Sequence, residues 1–179
     1  EGVPQTHMLN RFADAVMGNL QATLAQIDHA EFDAIATLLA DPARRVYATG
    51  GRITHALADY FVTHMNVIRA DVSLIGDHGG AWPPALLDMK KGDVLLVLDI
   101  RRYENAVLQL AEVAADQGAL VVLVTDQWVS PAATFAHHRL SAHVEAPSAW
   151  DSTVAIQLLL ETLLATVENL TWTDTQARM

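Results

Sequence analysis

The sequence predicts an α/β fold, a parallel sheet with helices on both faces, and three observations carry that expectation. The runs Val46-Tyr47-Ala48-Thr49, Val94-Leu95-Leu96-Val97-Leu98 and Leu120-Val121-Val122-Leu123-Val124 are near-continuously apolar, as in strands buried on both faces. Each leads straight into a polar turn: Gly50-Gly51-Arg52-Ile53-Thr54, Asp99-Ile100-Arg101-Arg102-Tyr103 and Thr125-Asp126. A helical pattern follows each turn, which is the signature of βαβ units. In an open parallel sheet the ligand crevice lies beyond the carboxyl ends of the strands. The polar turns therefore mark the expected binding site.

Taken in order, residues 6–40 read as helix, with Leu9, Phe12, Val16, Leu20, Leu24 and Ile27 forming one apolar stripe. Asp28-His29 interrupts it, Phe32, Ile35, Ala36, Leu38 and Leu39 open a second helix, and Asp41-Pro42 ends that helix. The two helices either cap their own sheet or pack on a partner. Strand one, Val46 to Thr49, leads to a helix from Thr54 through Met65. Strand two is expected over Val67 to Ile75, followed by the loop Gly76-Asp77-His78-Gly79-Gly80 and a short helix at Trp82-Pro83-Pro84 with proline in its first turn. Lys91-Gly92-Asp93 turns into strand three, Asn105 to Gln117 is helical, and Gly118 is a natural C-terminal stop. Strand four is Leu120 to Val124, and Ser130-Pro131 caps a short helix. A fifth, less hydrophobic strand runs from His138 to Val144, at an edge. Ser152 opens a long helix that is apolar on nearly every side, which predicts burial in an oligomer interface, and residues 171–179 read as a frayed tail.

Composition narrows the function classes. The 179 residues carry 11 Lys plus Arg against 21 Asp plus Glu, a formal net charge of -10. That balance argues against a grip on nucleic acid by this segment, because phosphate contacts need clustered cations. The absence of cysteine excludes a disulfide framework and a thiolate metal site. No apolar run reaches the ~18 to 20 residues of a membrane span, and Glu1-Gly2-Val3-Pro4-Gln5 lacks the features of a signal peptide. A cytoplasmic chain is expected, and the missing initial methionine suggests part of a longer protein.

Two turns are candidates for chemistry. Gly50 and Gly51 let the backbone approach a ligand at a helix N-terminus, and Thr54 could cap that helix or donate to an anion. The alternative is a tight strand-to-helix turn and nothing more. Neither the dinucleotide fingerprint nor a phosphate loop ending in Lys-Ser/Thr is present. Asp99, Arg101, Arg102 and Tyr103 follow strand three directly, and two guanidiniums there offer bidentate recognition of a carboxylate or phosphate. Alternatively, Arg101 or Arg102 pairs with Asp99 or Glu104 and only stabilises the turn. Arg52, on a neighbouring turn, favours ligand binding. Of the 8 histidines, His78 in its glycine-flanked loop is the candidate contact, with an ordinary surface histidine as the alternative. No histidine spacing suits a metal, so neither metal nor cofactor is expected.

The ordered combination of strand–Gly50-Gly51-x-x-Thr54–helix, strand–Asp99-x-Arg101-Arg102–helix, Gly118-Ala119-x-Val121-Val122-x-Val124-Thr125-Asp126 and Ser130-Pro131 resembles the sugar isomerase (SIS) domain. More narrowly it resembles the effector-binding half of RpiR/MurR-type bacterial transcriptional regulators. The segment with Asn19-Leu20 and Ile27-Asp28 is similar to the connector that follows the DNA-binding domain there. The resemblance implies a three-layer αβα sandwich with a five-stranded parallel sheet, divided into a helical connector or dimerisation segment (1–44) and an effector-binding domain (45–179). It also implies homodimers or homotetramers, and a cleft that binds a sugar phosphate and controls a separate helix-turn-helix domain. Two motifs depart from the family pattern. The usual Gly-x-Gly-x-Ser is Gly50-Gly51-Arg52-Ile53-Thr54, and the phosphate-holding Ser-x-Ser-Gly-x-Thr is Asp99-Ile100-Arg101-Arg102-Tyr103-Glu104. A sugar acid, another carboxylated metabolite and a differently held phosphate all remain open. The expected function is effector sensing without catalysis. The alternative is an aldose–ketose phosphate isomerase, for which Glu104, His55 and Glu161 are available as proton-moving groups.

Overall fold

A computed structural model of the chain describes residues 7–76 and 82–179. Five strands, β1 (Val46–Gly50), β2 (Val72–Leu74), β3 (Val94–Asp99), β4 (Leu120–Asp126) and β5 (His138–Ala142), form one sheet in the order β2-β1-β3-β4-β5. Every pairing is parallel. Among the described residues, seven α-helices surround it: α1 (Met8–Gln26), α2 (His29–Ala40), α3 (His55–Ile68), α4 (Trp82–Asp88), α5 (Asn105–Asp116), α6 (Val154–Leu170) and α7 (Trp172–Arg178), with a short 3-10 helix at Pro131–Phe135. The expected αβα sandwich is therefore the fold.

The three central strands divide their side chains between two cores, as the period of two requires. Val46, Ala48, Val94, Leu96, Leu98, Val122 and Val124 face a layer that includes Ile35, Leu39, Phe61, Met65, Ile156 and Leu160 of α2, α3 and α6. Tyr47, Leu95, Val97, Val121 and Leu123 face the other layer, with Val107, Leu110 and Ala114 of α5. The chain leaves β1 through α3 to reach β2 on one side, whereas β3 continues through α5 to β4 and β5 on the other. The order thus reverses between β1 and β3, which lie side by side with Gly50 opposite Leu98.

The N-terminal helices are part of this body. The outward backbone groups of β5 and the residues after it meet side chains of α1 and α2. Arg139 N–H donates to Glu31 Oε1 (3.0 Å) and His143 N–H to Thr23 Oγ1 (2.9 Å). Ser141 O accepts from Gln26 Nε2 (3.1 Å), and Glu145 O from Asn19 Nδ2 (2.7 Å). Asn19, Thr23 and Gln26 share one helix face, and four helical residues rise about 6 Å against about 6.6 Å for two strand residues, so the spacings match. At the other end of this layer, the buried guanidinium of Arg69 donates to Leu39 O (2.7 Å), Asp41 O (2.8 Å) and Arg44 O. It binds the carbonyl end of α2, where a cation is favoured.

Four expectations change. Strand two shrinks to Val72–Leu74 because α3 runs on to Ile68, whose side chain is buried. Strand five ends at Ala142. The tail is helical rather than frayed: α7 packs on α3, with buried Thr175 Oγ1 donating to Ile68 O (3.3 Å) and Arg178 Nη2 to Asn66 O (2.8 Å). Finally, α6 buries Ala155, Ile156, Leu159, Leu160, Leu163, Leu164 and Val167 within its own chain, against α1, α2 and α3. Its apolar character therefore does not require a partner. Exposed apolar surface lies instead on α1, at Met8, Leu9, Met17 and Leu24.

Arg69→Ala strands carbonyls at the end of α2 and should cost about 2 to 3 kcal/mol. A thermal melt should then fall by roughly 4 to 10 °C; an unchanged midpoint would show that water replaces the guanidinium without loss.

Candidate functional site

The reversal between β1 and β3 opens a cleft of about 650 Å³, within the size range of small-molecule sites. Three stretches line it: Gly51 to Thr54 after β1, Ile100 to Glu104 after β3, and Ser148 to Asp151 ahead of α6. Each leads into a helix, so the N-terminal ends of α3, α5 and α6 all border the cleft, and their dipoles favour an anion. Arg52, Arg101 and Arg102 share this one cavity. The segment before α6 was not singled out as a site from the sequence.

The β1–α3 turn is set by Gly50 and Thr54. A Cβ on Gly50 would lie 2.6 Å from Thr54 C and 2.7 Å from His55 N, so only glycine lets α3 fold this close to the strand end. Thr54 Oγ1 accepts from Gly51 N–H (2.9 Å) and donates to Leu98 O (2.7 Å), tying the turn to β3. It makes no side-chain cap to α3, and its one hydroxyl proton is already spoken for. Thr54 therefore fixes the wall and has no proton to offer an anion. Gly51 has room beside it, with Glu104 Oε1 3.6 Å from where a Cβ would stand. Arg52 projects outward, and its backbone N–H donates to Glu104 Oε1 (2.9 Å).

The β3–α5 turn rests on two buried carboxylates. Asp126, at the end of β4, accepts from Arg101 N–H (2.7 Å), Tyr103 Oη (2.7 Å), Trp128 N–H (3.0 Å) and Val129 N–H (3.1 Å). Burial, then this bond to Asp126, pushes the Tyr103 hydroxyl above its ordinary range. Tyr103 therefore reaches the cavity wall with its proton committed. Asp99 is 2% exposed, accepts from Ser130 Oγ, and does not line the cavity. Burial pushes its carboxyl up to about 6, against the bonds from Ser130 Oγ and the Glu104 backbone that favour the charge.

The two arginines of this turn differ. Arg101 makes a bidentate pair with Asp151, Nε to Oδ2 and Nη2 to Oδ1 at 2.8 Å each, and its guanidinium lies over Trp128, 3.7 Å from the ring centroid. The sequence offered Asp99 and Glu104 as partners; the actual one is 50 residues away. Arg102 is exposed, with its guanidinium 5.8 Å from the centroid of Trp150. Among the described residues, neither Arg52 nor Arg102 forms a side-chain ion pair. Gly50 supports the turn from behind the cavity, and His78 lies outside the described residues. No group of His, Asp or Glu among the described residues is arranged to hold a metal ion.

The sheet order and the cleft at its reversal define a doubly wound α/β domain. The sequence model of the SIS domain matches residues 39–166, well over half of the chain, and the protein belongs to that family. No curated protein matches the chain in sequence. Among solved structures, the chain is similar to the sugar isomerase domain of an RpiR transcription factor from Sphaerobacter thermophilus. That match has a TM-score of 0.87 and 22% identity over 97% of this chain and 96% of the other. The NanR protein of Vibrio vulnificus, complexed with ManNAc-6P, superposes with a TM-score of 0.81 at 18% identity, over 97% of this chain and 66% of that one. A phosphoheptose isomerase from Francisella tularensis gives 0.71 at 16% identity, over 92% of this chain and all 100% of its own. Regulators and enzymes alike share the fold.

Because the folded-state value of Asp99, about 6, stands above the ordinary 3.8, protonation of this group favours the fold. Its contribution is greatest below about pH 4, declines as the pH rises towards 6, and is constant above. Urea titrations of wild type and Asp99→Asn from pH 4 to 8 should show the difference moving against wild type by roughly 1 to 3 kcal/mol across that window. A difference independent of pH would show that the buried carboxyl titrates normally.

Proposed function

We propose that this chain is the effector-sensing part of an RpiR-type bacterial transcriptional regulator, and that the cleft takes a small, sugar-derived anion. The observation that carries the reading is the convergence of Arg52 and Arg102 on one cavity of about 650 Å³, bordered by three helix N-termini, with neither guanidinium paired to a carboxylate among the described residues. Both guanidiniums are exposed and have no carboxylate partner among the described residues, so they are free to pair with an anionic ligand. Arg52 and Arg102 hold the anion, Gly51 gives close backbone approach, and Tyr103, Thr54 and Arg101 shape the walls. Gly50 and Asp99 act from behind them, and His78 is a further candidate contact.

In the same reading, residues 1–44 connect the sensing domain (45–179) to a helix-turn-helix domain that binds DNA. The similarity to the Sphaerobacter regulator domain supports this, since it spans 97% of the chain and so takes in α1 and α2. Homodimers or homotetramers form through α1, whose Leu9 and Leu24 are 69% and 57% exposed. Ligand binding then shifts the arrangement of the helices that lead to the DNA-binding domain. Among the described residues, no single helix is long and apolar enough to cross a membrane.

A second reading, a phosphosugar isomerase, is favoured by one observation: Glu104 stands at the cavity wall, where a carboxylate could move a proton between adjacent carbons. Interconversion of an aldose and ketose phosphate, abolished in Glu104→Gln, would establish it.

Calorimetry with a panel of carboxylated and phosphorylated sugars tests the sensing function. Arg52→Ala and Arg102→Ala should each weaken the best ligand by about 1.5 to 3 kcal/mol, the range for charge-assisted hydrogen bonds. Arg101→Ala should cost less, because Asp151 already neutralises that group. Equal affinity in wild type and both of the first two variants would refute the assignment.

A further inference from the structure

Several hydrogen-bond donors around the cleft are already taken by the chain itself. The backbone N–H groups of Arg52 and Arg101 donate to Glu104 and Asp126. The hydroxyls of Thr54 and Tyr103 donate to Leu98 O and Asp126. A phosphate needs several such amides and hydroxyls to surround its three oxygens, and here carboxylates and a carbonyl of the chain itself hold these, leaving the hydroxyl of Ser148, whose oxygen accepts from Trp150 N–H, on the cavity wall. The charges tell the same story. Arg52, Arg101 and Arg102 face Glu104 and Asp151 around the cavity, a surplus of one positive charge, and the Arg101–Asp151 pair cancels internally.

Glu104 occupies the decisive place. Its Oε1 sits against the turn that leads into α3, holding Arg52 N–H at 2.9 Å and lying 3.6 Å from the open side of Gly51. An anion drawn to that helix end meets a fixed negative charge. A carboxylate with one charge can instead be gripped by a guanidinium in bidentate fashion. A phosphate monoester, carrying about 1.5 to 2 negative charges at pH 7, suffers more from the same neighbour and finds no cation besides the three arginines among the described lining residues.

We infer that the cleft is built for a monocarboxylate, a hydroxylated acid of sugar size, and that Glu104 is the residue that turns away the matching phosphate. The inference rests on the anion-sensing reading and narrows its ligand class. The carboxylate lies between Arg52 and Arg102, while the exposed ring of Trp150 offers a flat apolar face to the carbon chain.

Glu104→Gln is the informative variant, because the amide oxygen still accepts from Arg52 N–H while the charge is gone. The experiment is calorimetry at pH 7.5 on the whole chain, pairing six- to nine-carbon sugar acids with sugar phosphates of equal carbon number. Wild type should bind its best acid at least about tenfold more tightly than the paired phosphate, since like-charge juxtaposition is penalised at this scale. Glu104→Gln should shrink that ratio about tenfold, chiefly by strengthening the phosphate. Phosphates that bind wild type as tightly as acids, through Arg52 and Arg102, would overturn the carboxylate inference and leave anion sensing standing. A ratio unchanged in Glu104→Gln would remove Glu104 as the discriminating group. Binding of neither series to wild type or variant would overturn both readings.

Discussion

Two neighbouring strands that send the chain in opposite directions govern this molecule. With β1 and β3 paired in parallel and Gly50 opposite Leu98, the α3 and α5 connections must diverge, and the space between them is left for a ligand. The hydroxyl of Thr54 fastens the gap by bridging Gly51 N–H and Leu98 O. The glycine at 50 is the steric condition for that closeness, since any side chain there would collide with the backbone of Thr54 and His55. Strand order, turn chemistry and cavity are thus one arrangement seen at three scales.

Beneath the cavity floor the acidic side chains do structural work. Asp126 gathers donors from Arg101, Tyr103, Trp128 and Val129, and Asp99 takes the hydroxyl of Ser130. Buried carboxylates are costly unless their lone pairs are filled, and four donors on one group satisfy that condition. The result is a turn whose backbone is fixed while the Arg102 side chain stays exposed above it. Rigid support under an exposed cation limits the entropy lost when an anion arrives.

Much of the fold was legible because burial on both faces leaves a direct mark on sequence. The runs at 46–49, 94–98 and 120–124 became β1, β3 and β4, Gly118 ends α5 with φ of 87°, and Ser130 caps Ala132 N–H. Legibility failed where the deciding contact is remote. Residues 171–179 carry no strong pattern, and only the packing of Thr175 and Arg178 on α3 makes them helical. The same holds at the cleft. Its three arginines could be found from position after a strand, but the Asp151 that neutralises Arg101 comes from the far end of the chain. Trp150 and Asp151 left one signal, their place just before a helix start. The inward turn of Asp99 had none, since alternation at a strand end does not say where the sheet stops being covered.

The side chains of α1 and α2 stand where a sixth strand would. Asn19, Thr23, Gln26 and Glu31 take up alternate peptide groups along β5 and beyond, which would otherwise form a bare margin ready to recruit another molecule's backbone. A protein trimmed to begin at β1 would expose that margin together with the apolar underside of α6. It would be prone to associate edge to edge into insoluble material, so the leading helices act as a built-in guard on the sheet.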